Sequence, residues 1–134
     1  MKKHGILNAE LSRVIATMGH TDKLVICDSG LPIPRKAERI DLALVDGIPS
    51  FLDVVEAVLG ELQVQEAFIA CEMEKANGAA HQKLTKLLRG VEIKSVPHEE
   101  FKELTDGKGN ITFVRTGEAS PYANVILISG VTFD

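Results

Sequence analysis

Clustered cations, stacking aromatics, spaced cysteines and long apolar runs are all scarce in this chain, and each shortage removes a class of function. Asp and Glu outnumber Lys and Arg by 19 to 15, and there is a single tyrosine. A nucleic-acid surface needs the opposite, clustered Lys/Arg interleaved with aromatics. Cys27 and Cys71 stand singly in apolar segments, so they read as buried free thiols of a reducing compartment. With no HExxH, no CxxC and no carboxylate cluster, no metal is expected. Neither a Walker loop nor GxGxxG is present, and GKGN at Gly107 lacks the flanks that cradle phosphate. A GxSxG elbow is missing too. No stretch is long enough to span a bilayer. The opening MKKHGILNAELSRV breaks its apolar pattern too early for a signal peptide.

What is there is the pattern of one α/β domain. At 134 residues, 45% apolar and 25% charged, the chain suits one compact unit over residues 1–134 with enough interior for a real core. Asn8 serves as N-cap to Leu11, Val14, Ile15 and Met18 at helical spacing, and Gly19 offers a stop. Leu24 to Cys27 is an apolar, partly β-branched run bounded by Asp28, Gly30 and two prolines, which predicts a strand covered on both faces. Ile40, Leu42 and Leu44 alternate, predicting a half-exposed strand. Ser50 and Asp53 form a capping pair ahead of the stripe Phe51, Val54, Val55, Val58 and Leu62. Further strands are expected at Ala67 to Cys71, Val91 to Val96 and Ile111 to Arg115, with Val125 to Ile128 closing the sheet. Helices are expected at about Ala79 to Leu88 and from Pro97 through Phe101 and Leu104, and DGKGN reads as a turn. Helices alternating with short buried strands predict an α/β fold, a single three-layer domain with a mainly parallel sheet flanked by helices.

The stretch GHTDKLVICDSGLPIP, Gly19 to Pro34, sets a histidine, a buried strand, an aspartate and a Gly/Pro turn in quick succession. Imidazole titrates near neutral pH and can both give and take a proton. In open parallel sheets, ligands collect beyond the carboxyl ends of the strands. Asp28 ends one strand, His98 follows another, and the loop RTGEASPYAN follows a third. Together they offer a carboxylate, an imidazole, the Tyr122 hydroxyl and the Asn124 amide, a set suited to a neutral polyhydroxyl ligand.

His20 stands apart, because it precedes the strand that Asp28 ends. About five residues at roughly 3.3 Å each separate the two by on the order of 17 Å, too far for one small sugar. If both act on one ligand, a second subunit brings its own His20, and the site is shared between chains of a homo-oligomer. Plainer readings stay open at each position. His20 also fits a helix C-cap imidazole on the macrodipole, Asp28 the start of a turn, and His98 the first turn of a short helix. Tyr122 also fits a loop aromatic over the core, and Asn124 an ordinary turn residue.

Four segments, KKHGILN, GHTDKLVICDSGLPIP, PHEEFK and RTGEASPYANVILISGVTF, resemble the D-ribose pyranase family, and between them they span both ends of the chain. L-fucose mutarotases are similar in the GH…D segment, but GLPIP and SPYAN favour ribose. The resemblance implies conversion of β-D-ribopyranose to the furanose form, without phosphate or cofactor, by a cytoplasmic ring-shaped homo-oligomer, a decamer of two pentameric rings. It places the acid/base histidine on His20, and substrate binding on Asp28, His98, Lys102, Tyr122, Ala123 and Asn124. Ser29 stands where the family pattern has alanine. Alternatives are a ribose-binding accessory protein of uptake without chemistry, and a mutarotase of another sugar such as L-fucose.

Overall fold

Short apolar runs become the strands, and capped amphipathic stripes the helices, of an α/β/α sandwich. The computed structural model describes residues 1–106 and 109–134. Gly107 and Lys108 of the expected DGKGN turn, and with them the GKGN motif, lie outside the described residues. In chain order the elements are α1 (Ala9–Thr17), β1 (Lys23–Cys27), β2 (Glu38–Asp41), α2 (Phe51–Leu59), β3 (Val64–Ala70), α3 (Glu72–Ala76), α4 (Gly78–Leu87), β4 (Glu92–Val96), α5 (His98–Leu104), β5 (Ile111–Arg115) and β6 (Val125–Ser129).

Both expected caps form. Asn8 Oδ1 accepts from Leu11 N at 2.9 Å, and Ser50 Oγ accepts from Asp53 N at 3.1 Å. Each satisfies a backbone N–H that a helix start would otherwise leave unpaired. In α2 the β-branched Val54, Val55 and Val58 disfavour helix by up to about 0.7 kcal/mol each. Burying each returns about 1.5–3 kcal/mol, so packing decides the helix.

The sheet runs β2-β5-β1-β6-β3-β4. Five strands point one way, and β6 is reversed between β1 and β3. The mainly parallel sheet is therefore as expected, but the last strand lies at its centre. One edge of the sheet consequently collects the carboxyl ends of β1 to β5 together with the amino end of β6. Side chains alternate across the two faces: Leu24 and Ile26 join the core under α1, α2 and α4, whereas Val25 and Cys27 meet Phe101 of α5.

Three local expectations are corrected. The strand at Ile40 to Leu44 is β2, which ends at Asp41, because its partner β5 ends at Arg115 opposite it. Leu44 is then 76% exposed, at the base of a small hairpin closed by Leu44 N donating to Ile48 O at 3.0 Å. Cys71 is exposed, because it follows the end of β3 and begins the unanticipated helix α3. Cys27 alone is a buried thiol, and burial first, then the charge of Asp28, pushes it up to about 12.

Candidate functional site

The carboxyl edge brings together residues from opposite ends of the chain. Asp28, just past β1, donates its N–H to Asn124 Oδ1 at 2.9 Å, and Asn124 Nδ2 donates back to Asp28 Oδ2 at 3.2 Å. Asp28 Oδ1 accepts from Gly30 N at 2.9 Å. Asn124 is 1% exposed and Ala123 is fully buried, so the pair is a fixed wall. The reversal of β6 explains the meeting, since Tyr122, Ala123 and Asn124 enter that strand from the edge where β1 stops. Tyr122 adopts φ 56°, a left-handed conformation that costs a residue with a side chain about 1–3 kcal/mol. An Asn124→Leu variant keeps the approximate volume but orphans the Asp28 N–H. We expect a loss of about 1–3 kcal/mol, read as a lower urea midpoint with an unchanged slope.

His98 opens α5 beside this pair. Its N–H donates to both oxygens of Glu72, at 3.0 and 3.1 Å, which ties the start of α5 to the start of α3. Its ring stands edge-on to Tyr122 with centroids 5.1 Å apart and lies near-parallel to Phe101 at 6.3 Å. Among the described residues, His98 Nδ1 is the only buried side-chain nitrogen or oxygen without a hydrogen-bond partner. The Cys71 thiol donates to Glu72 Oε1 at 3.2 Å. That bond is the leading cause of a lowered Glu72 carboxyl and a raised Cys71 thiol. The edge thus presents aromatic faces for C–H groups and donors and acceptors for hydroxyls.

One expected residue lies elsewhere, and another stands only at the border. His20 sits between α1 and β1 at the opposite edge, exposed, with Nε2 2.9 Å from Gln65 Oε1. One chain does not bring it to Asp28. Lys102 lies one turn along α5 from His98, with Nζ 2.8 Å from Glu99 Oε1. It borders a groove of about 260 Å³ with Pro32, Ile33 and Pro34. Larger concavities, of about 340 and 530 Å³, open at the amino edge beside Lys23, Glu38 and Ile111. The convergent polar groups lie instead at the carboxyl edge, and volume alone binds nothing. Among the described residues, no group of three or more His, Cys, Asp and Glu side chains gathers as a metal site. No helix among them is long and apolar enough to cross a membrane.

Glu72, Asn77 and Glu118 support this edge and were not anticipated. Glu118 is the one acidic residue in the loop from Thr116 to Asn124, the sequence signal that singles it out.

Fold and edge together define a three-layer α/β protein of the class that receives a small ligand beyond its strand ends. The match to known proteins runs the length of the chain. It belongs to the RbsD / FucU transport protein family, whose model covers residues 1–132. A D-ribose pyranase of Laribacter hongkongensis is 57% identical over 99% of this chain and 100% of its own. Bacillus subtilis RbsD, solved in complex with D-ribose, is 45% identical with a TM-score of 0.93, covering 99% of this chain and 100% of its own. The fucose mutarotase of Streptococcus pneumoniae shares the fold at 24% identity, with a TM-score of 0.76 over 98% of this chain and 100% of its own.

Proposed function

We propose that this protein is a D-ribose pyranase, an isomerase that interconverts the β-pyranose and furanose rings of unphosphorylated D-ribose. The observation that carries the reading is its full-length similarity to a relative solved with D-ribose bound. The carboxyl edge supports it with groups suited to hydroxyls: Asp28, His98, Tyr122 and Asn124, bordered by Lys102, with Ala123 packed behind them.

Ring opening needs one proton on the ring oxygen and one removed from the anomeric hydroxyl. As the bond from the anomeric carbon to the ring oxygen breaks, the anomeric oxygen becomes a carbonyl. Reclosure through the 4-hydroxyl transfers that hydroxyl's proton away and returns one to the carbonyl oxygen. Protons balance and nothing is oxidised. We assign His20 as the proton donor, with the carboxyl-edge groups orienting hydroxyls.

That assignment requires two subunits, since His20 and Asp28 lie at opposite edges of one sheet. Exposed apolar side chains occur at both edges: Leu44, Val45 and Ile48 on the hairpin after β2, and Val131 and Phe133 beyond β6. Contacts between unlike edges repeat head to tail and close into rings. We take the assembly to be a homo-oligomeric ring, a decamer of two pentameric rings, acting in the cytoplasm. The two free cysteines are in keeping with a reducing compartment.

Saturation-transfer NMR on D-ribose tests the activity. Catalytic amounts of protein are expected to speed transfer from β-pyranose to furanose signals. The family's description as transport proteins favours one rival, a sugar-binding partner of uptake. Ribose binding with unchanged exchange would establish that rival, and faster exchange of L-fucose than of ribose would reassign the substrate.

A further inference from the structure

Tyr122 is held in its left-handed conformation from outside, because a lone residue relaxes out of that region unless its surroundings over-determine it. Two side chains of its own loop, Glu118 and Ser120, and one from outside it, Asn77, tie the loop down. Glu118 Oε1 accepts from Phe51 N at the first turn of α2, at 3.0 Å, and Glu118 Oε2 accepts from Ser120 Oγ at 2.9 Å. Asn77, between α3 and α4, donates through Nδ2 to Ser120 Oγ and to Pro121 O, both at 2.9 Å. The carbonyl of Glu118 accepts from Ser29 N at 2.9 Å, one residue past Asp28. One residue therefore grips both arms of the edge.

We propose that Glu118, acting through Ser120 with Asn77, is a positioning residue: a latch that sets Tyr122 against His98 and fixes the Asp28 turn, and so controls how tightly the sugar is held. Its carboxylate is suited to the task. It accepts an N–H at a helix start, where negative charge is favoured, and a hydroxyl, both as charge-assisted bonds. The ligand in this inference rests on the ribose reading, whereas the latch itself does not.

The experiment uses a property of the composition. The chain has one tyrosine and no tryptophan, so tyrosine emission reports Tyr122 alone. Glu118→Ala and Ser120→Ala remove the latch, and Ser120→Thr keeps its hydroxyl. Ser50→Ala removes the cap of the same helix α2 without touching the loop. Acrylamide quenching of the tyrosine is expected to rise in Glu118→Ala and Ser120→Ala and to stay at the wild-type level in Ser120→Thr and Ser50→Ala. KM for ribose is expected to rise about tenfold in the first two with kcat unchanged, a factor equivalent to about 1.4 kcal/mol. A merely structural Glu118 would behave like Ser50, lowering the melting temperature while leaving quenching and KM at wild-type values, and that result overturns the latch. Looser tyrosine in Glu118→Ala, in a protein whose wild type ignores ribose, would uphold the latch and remove the ribose reading. Wild-type ribose exchange with unchanged quenching would do the reverse.

Discussion

A His20→Gln variant is expected to lose ribose ring exchange by about 10²- to 10⁴-fold, the usual contribution of a positioned acid or base, while still binding ribose. Glutamine preserves polarity and hydrogen bonding towards Gln65, whose Oε1 lies 2.9 Å from His20 Nε2. It cannot deliver a proton to a leaving ring oxygen. Saturation transfer reads the exchange and a ribose titration reads the binding. Wild-type exchange in this variant would remove His20 from the mechanism. A mixing experiment then asks where His20 acts. In the proposed ring, assembled from equal amounts of His20→Gln and Asp28→Asn subunits, each site would draw its two halves from different chains, so about one quarter of random junctions would combine both native residues. Activity should return to the mixture although neither variant has it alone. A mixture as inactive as its components would place each site within a single polypeptide.

Gly117→Ala is expected to destabilise the protein by about 3 kcal/mol or more, at or beyond the upper end of ordinary overpacking. Gly117 is buried where β5 meets the hairpin, donating to Pro49 O at 3.0 Å and accepting from Gly47 N at 2.6 Å. A Cβ there would run into the Ile48 carbonyl oxygen and stand 2.6 Å from Val45 O. These are backbone atoms, so no rotamer change relieves the clash and the hairpin must move. Leu44, Val45 and Ile48 move with it, and the subunit contact they are proposed to make should weaken. Urea unfolding measures the first effect and sedimentation the second, with a smaller particle and reduced ring exchange expected. Gly78, where an added Cβ meets nothing within 4 Å, is the control: alanine at this helical position should leave particle size unchanged and cost no stability. Wild-type stability and size in Gly117→Ala would show that the hairpin accommodates a side chain.

Much of this architecture was legible because burial writes a local signature. The runs that became β1 and β6 are continuous in apolar residues, and Asn8 and Ser50 announce their helices through cap chemistry. What was missed depends on partners distant in sequence. Alternation from Ile40 to Leu44 looks like a strand, yet only a neighbour long enough to pair with it makes one, and β5 stops at Arg115. The five residues of α3 bury one side chain, Met73, too little for a periodic signal. The direction of β6 is set by topology, which leaves no mark on its five residues. Asp28, His98, Tyr122 and Asn124 were legible as a group because strand-end placement follows from element order alone. Glu72, Asn77 and Glu118 were not, since each acts through backbone groups far along the chain.

The reversed central strand has a mechanical corollary. Asn124 precedes it at one edge and Ser129 ends it at the other, where Ser129 O accepts from Thr21 N next to His20. In the proposed ring, five residues of interior strand would serve as a rigid gauge between the two halves of neighbouring reaction chambers. If the proposed circle closes, its gauges leave no slack, and catalytic tuning is expected to respond to substitutions that alter the pitch between neighbours, even ones far from any sugar.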